Sequence, residues 1–179
     1  MPDPRNDDHA FKDFVREHQD RVFHVVVNMV QQPEDAEEIT QDVFVDVFRN
    51  PGAFRGEAQV STWLYRIAVN KSIDHLRKKE RRGRWLGIWP SKDAEPGTPD
   101  FVHPGIIAEN REKATYLYRA MKKLPHKQQA AWVLSEMEQL PYREIAEVLK
   151  VSVSSVESLL FRARQNLKKI LSGMYPEKS

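Results

Sequence analysis

Apolar residues recur at helical steps along most of this chain. Phe11, Phe14, Val15, His18, Val22, Val25, Val26 and Met29 lie three or four positions apart, which predicts a first amphipathic helix. Its valines argue weakly against this, because branched side chains lower helix propensity. Pro33 fits the first turn of a second helix, with Glu34, Asp35, Glu37 and Glu38 beside its positive end. Ala36, Ile39, Val43 and Val47 form its buried stripe, widened by Phe44 and Phe48, and Asn50-Pro51-Gly52 stops it. A connector from Ala53 to Val60 leads to Ser61, the expected N-cap of a third helix running from Thr62 into Arg82. Trp63, Leu64, Ile67, Ala68, Val69, Ile73 and Leu76 make much of that helix apolar. Arg66, Asn70, Asp74 and Arg77 fall on one polar line, which must face solvent or a ligand.

The helical period lapses between Gly83 and Gly105, where Pro90, Pro96, Pro99 and Pro104 stand among four glycines. That composition reads as a linker. Trp85, Leu86, Ile88 and Trp89 are unusual there: they pack back onto a domain or dock onto a partner. Periodicity returns over Ala108–Lys123, in a helix opened by Pro125 and ending near Glu138, and in one opened by Pro141. Tyr142–Leu149, a three-residue break and a helix from Val153 form a helix-turn-helix pattern, the geometry that lays a helix in the DNA major groove. On the last helix Val153, Val156, Leu160, Ala163, Leu167, Ile170 and Leu171 share the apolar side. Ser154, Ser155, Ser158, Arg162, Gln165 and Lys169 share the polar one. Ser152 is the expected cap, leaving free N–H groups near a phosphate. Arg162 and Arg164 suit phosphates or guanine edges, and Phe161 suits either packing or a thymine methyl. The expected fold is all-α: two small helical domains, 8–84 and 108–174, joined by a flexible linker over 85–107, with the helix-turn-helix at the C-terminal end.

Composition narrows the function. The 179 residues include no cysteine, so disulfides and thiolate metal sites are excluded. No apolar run approaches the roughly 20 residues of a membrane helix, and the N-terminus lacks a signal-peptide core, so a cytoplasmic protein is expected. The net charge of +2 says little, but its distribution says more. Charges from Glu34 to Asp46 are all acidic, whereas Arg66 to Arg84 is dominated by Arg and Lys, a division that suggests two partners. The six histidines show no metal-ligand spacing and no Gly-rich phosphate loop appears, so no catalytic residue, metal or cofactor is expected. These observations leave open a helix-turn-helix regulator of duplex DNA, an adaptor, or a protein that joins DNA to a larger machine.

Ser61-Thr-Trp-Leu-Tyr-Arg-Ile-Ala-Val-Asn70, followed by Ile73-Asp-His-Leu-Arg-Lys-Lys79, resembles the promoter-melting region of extracytoplasmic-function sigma factors, the smallest group of the sigma-70 family. Asp35-Ala-Glu-Glu-Ile-Thr-Gln-Asp-Val-Phe44 resembles that family's core-polymerase-binding helix. Leu124-Pro125, Tyr142-Arg-Glu-Ile-Ala-Glu147 and Phe161-Arg-Ala-Arg164 resemble its C-terminal domain. The resemblance implies that Asp35, Glu38, Gln41 and Asp42 bind the clamp of the largest subunit of core RNA polymerase. It implies that the loop Phe54–Thr62, including Arg55 and Ser61, forms with Asn70 a pocket for a base flipped from the −10 element. Arg66 and Arg77 would then hold the single strand. Ser154, Ser155, Ser158, Phe161, Arg162 and Arg164 would read the −35 element, and an anti-sigma protein is a further candidate partner. Glu157 and Leu159 stand where the family usually has basic residues, and Ser154 takes a common glycine position, so the −35 preference of relatives does not carry over.

Overall fold

The computed structural model describes residues 8–50, 59–87 and 111–174. The expected contacts of Phe54 and Arg55, and Ile88 and Trp89 of the apolar patch, lie outside these residues. Helix α1 (Asp8–Val30), α2 (Pro33–Arg49) and α3 (Val60–Trp85) pack against one another around Phe14, Val22, Val26, Ile39, Val43, Leu64 and Ala68, all buried. Pro33 opens α2 as expected, and Asn50 closes it through backbone and side-chain N–H groups that donate to the Asp46 carbonyl. Ser61 does not cap α3. Gln59 occupies the extended N-cap position without a side-chain cap, so the helix starts at Val60 and Ser61 falls within its first turn. Phe48, expected to widen the buried stripe, is 41% exposed and rests edge-on against Phe11 at 5.3 Å.

The second unit comprises α4 (Arg111–Lys122), α5 (His126–Trp132), a π-helical turn (Val133–Met137), α6 (Tyr142–Leu149) and α7 (Val153–Met174). Pro125 and Pro141 sit at the N-cap in extended geometry, one position before the expected first turn, and each helix begins on the next residue. α6 ends at Lys150 in the left-handed conformation, and the Val151 N–H reaches back to the Ala146 carbonyl. This closes the helix-turn-helix bend without a glycine. Ser152 caps α7 by accepting from the Ser155 N–H at 3.2 Å. Val156, Leu160, Ala163 and Leu167 are buried, whereas Val153 at the helix start is largely exposed.

The two units also pack together, α3 on α6 and α1 on the π-helical turn. Apolar side chains of both units join in one core, and buried hydrogen bonds also cross the seam. Tyr118 donates its hydroxyl to Asn28 Oδ1 at 2.9 Å, Gln31 donates to the Tyr118 carbonyl at 3.0 Å, and Gln129 donates to the Met29 carbonyl at 2.8 Å, all buried. Gln31 stands left-handed at the end of α1, where its N–H closes the helix on the Val27 carbonyl and its side chain crosses the seam. Tyr65 lies 3.4 Å from Glu138, Arg66 donates to the Glu147 carbonyl at 3.2 Å, and His126 meets Glu80 at 3.1 Å. Burial, and then Glu138, pushes the Tyr65 phenol up to about 12. Burial raises Glu138 as well, against the opposing pull of His24, Tyr65 and Arg21.

Candidate nucleic-acid and protein interfaces

The acidic residues of α2 divide into two sets. Asp35 and Asp46 turn inward to α3: Asp35 takes His75 at 3.0 Å and Lys79 at 2.9 Å, and Asp46 takes Lys71 at 2.8 Å. Burial pushes the Asp35 carboxyl up, but Lys79 and then His75 outweigh it and hold the group below its ordinary value. Glu37, Glu38, Gln41 and Asp42 are exposed. So of the four residues expected to face polymerase, three project outward and Asp35 serves the α2–α3 packing. The outward face continues into Val45 and Phe48, which line an apolar groove with Phe11, Val15 and Phe44. Periodicity missed this groove, because Phe48 sits at the margin of the buried stripe and its neighbour Phe11 belongs to another helix.

On α3 the polar line is realised in part. Asn70, Asp74 and Arg77 are exposed, and Arg77 lies 3.8 Å from Asp74. Arg77, Lys78, Arg81 and Arg84, with Asp74 and Glu80 among them, edge a shallow cleft whose net positive charge suits a phosphate backbone. Nearer the start of α3, Thr62 is buried with no hydrogen-bond partner for its hydroxyl, Ser61 is half-buried, and Arg66 is held by α6. The structure therefore separates an open half of the expected strand-holding strip from a less accessible half, in which Arg66 is tied to α6.

On α7, Ser154, Ser158, Phe161 and Arg162 share an exposed face, with Phe161 61% exposed. Ser155 is half-buried, and its hydroxyl lies 2.8 Å from that of Ser152 in the cap. Arg164 stands roughly 110° around the helix from the middle of this face at 3.6 residues per turn. Its Nη2 donates to Glu136 Oε1 at 3.1 Å. The Tyr142 hydroxyl and then Glu136 raise its already high pKa further.

Comparison with known proteins fits this geometry. The profile described as Sigma-70 region 2 matches residues 14–82, and that described as Sigma-70, region 4 matches residues 114–167. The chain is 32% identical over 178 residues to the RNA polymerase sigma-H factor of Pseudomonas aeruginosa, covering 97% of this chain and 92% of the relative. The chain belongs to the sigma-70 family. Within that family it is of the extracytoplasmic-function group: the ECF RNA polymerase sigma factor SigW of Bacillus subtilis is 29% identical over 174 residues, with 95% and 93% of the two chains covered.

Two solved structures share the fold. One is the sigma factor RpoE of Bartonella quintana in complex with the anti-sigma factor NepR, at a TM-score of 0.69 and 17% identity, covering 91% of this chain and 97% of that one. The other is CnrH in complex with the cytosolic domain of CnrY, at a TM-score of 0.65 and 21% identity, covering 96% and 93%. In sigma-70 terms, α1–α3 carry region 2 and α4–α7 carry region 4. Among the described residues no group of three metal-ligating side chains comes together, and no helix is long and apolar enough to cross a membrane.

Proposed function

We propose that this chain binds core RNA polymerase and directs promoter-specific initiation, with residues 108–174 anchoring duplex at the −35 element and residues 8–84 capturing the melted −10 strand. One observation carries the reading: a single chain joins an exposed helix-turn-helix face on α7 to an exposed polar line on α3 that runs into a basic cleft. A helix-turn-helix regulator of duplex DNA needs neither that line nor the acidic face of α2.

In this reading Glu38, Gln41 and Asp42, extended by Val45 and Phe48, contact the polymerase clamp. Asn70 receives the flipped base, and Arg77 with Lys78, Arg81 and Arg84 holds the strand. Ser154, Ser158, Phe161 and Arg162 enter the major groove, with the free N–H groups of α7 toward a phosphate. The protein carries out no bond chemistry and works in the cytoplasm. An anti-sigma protein is a third partner, as in the two solved complexes, and Trp85, 86% exposed, offers it an apolar contact.

The packed arrangement cannot serve both elements at once. Their centres lie about 25 base pairs apart, roughly 85 Å of duplex at 3.4 Å per step. A folded body of this size has a radius of gyration of about 16 Å and is roughly 40 Å across. The chain between Gly87 and Arg111 reaches at most roughly 80 Å when extended. Promoter recognition therefore requires the seam to part. Run-off transcription with core polymerase tests the reading, and failure to direct initiation on any promoter of a library would refute it.

A further inference from the structure

The two arginines of α7 have different fates. Arg162 is exposed on the groove-facing side, whereas Arg164 turns to the flank and meets Glu136, a residue 28 positions earlier in the chain. Glu136 is placed with care by its surroundings. It lies in the π-helical turn, where the Glu138 N–H closes on the Val133 carbonyl and Gln139, in the left-handed conformation, donates its side-chain N–H to the Glu136 carbonyl at 2.7 Å. The Ser135 hydroxyl donates to the same Oε1 that accepts from Arg164, at 3.2 Å, and so orients the carboxylate. The side chains of Arg164 and Glu136 remain 52% and 37% exposed. An ion pair this open to solvent adds little to folding. It does change the charge that DNA meets, because the flanks of a helix in the major groove face the two phosphate backbones.

We propose that Glu136 limits sequence-independent affinity: by holding Arg164 against the π-helical turn it withholds one cation from the phosphates and leaves base reading to Ser154, Ser158, Phe161 and Arg162. This rests on the −35 reading of α7. A cation on a phosphate strengthens binding to every sequence alike, so withholding one lowers affinity for every duplex and leaves the difference between sequences unchanged. Glu136 is then a positioning residue acting through Arg164.

The test compares the full-length wild type with Glu136→Gln, Arg164→Gln and the double variant, all checked for unchanged helix content by circular dichroism. Binding to a short random duplex, and to one carrying a −35 element recovered from a run-off library, is measured across salt. Glu136→Gln is expected to tighten random-duplex binding severalfold and to steepen the plot of log affinity against log salt by about 0.9. That slope change adds roughly a further 3.5-fold loss of affinity between 50 and 200 mM salt. The preference for the −35 duplex over the random one should not change, because both duplexes gain alike. In the Arg164→Gln background the same substitution should neither tighten random-duplex binding nor steepen the slope, because the cation it would release is gone. An unchanged slope, or the same change in both backgrounds, overturns the proposal, the latter by showing that Glu136 acts only as bulk charge. The random-duplex slopes need no promoter, so they report on Glu136 even if the wild type fails to initiate transcription, an outcome that counts against the function proposed above.

Discussion

Asn70 stands exposed on α3, where Ala68, Val69, Ser72 and Ile73 are buried. Its carboxamide both donates and accepts, as holding the edge of an unstacked base requires. Asn70→Ala should therefore impair promoter opening by roughly 1–3 kcal/mol, the worth of one good base contact. Permanganate reactivity of −10 thymines in the polymerase complex should fall, while binding of the same variant to −35 duplex stays unchanged. Equal loss of both would contradict the division of labour between α3 and α7. The exposure of Asn70 was legible from spacing, since a polar side chain on a largely apolar helix must face water or a ligand; its role in base capture came from the family resemblance. The pairing of Arg164 was not legible. Its partner Glu136 lies 28 positions earlier in the chain, and only the fold brings the two within 3.1 Å.

At the scale of elements, the acidic stretch of α2 looked uniform in sequence and proved to be two surfaces. Which carboxylates turn inward depends on where His75, Lys79 and Lys71 of α3 fall when the helices pack, and no pattern within α2 contains that information. The Asp35 pairs join α2 to α3, so Asp35→Asn should lower stability to urea by about 1–2 kcal/mol at neutral pH. Because the folded carboxyl lies below its ordinary value of 3.8, this contribution is full above that value. It disappears as the pH falls through the lower folded one. The gap between variant and wild type should accordingly close in acid. Unchanged stability together with lost polymerase binding would return Asp35 to the partner-facing set. Helix existence was legible wherever the apolar period was long, as in α1, α2 and α7. The π-helical turn was not, because it continues the stripe of α5 without a break, and neither was the left-handed Lys150, a conformation usually signalled by glycine.

For the whole molecule, the order of the two modules could be read along the chain, but their contact could not. The seam depends on single polar residues such as Asn28, Gln31 and Gln129, which in sequence look like ordinary helix-end side chains. These contacts can exchange their hydrogen bonds for water when the seam opens, at less cost than apolar ones. The chain has no cysteine, so Asp20→Cys/Lys113→Cys accepts a fluorescent pair at two exposed sites, one on each module. Energy transfer should be high in the free protein and fall when core polymerase and promoter are added. Transfer that stays high in a transcribing complex would show that the modules need not part. The most direct measurement is run-off transcription from a promoter library with purified core polymerase, with and without this chain. The account predicts discrete transcripts that appear only when the chain is present, from promoters sharing −35 and −10 sequences. No chain-dependent transcript from any promoter would contradict it.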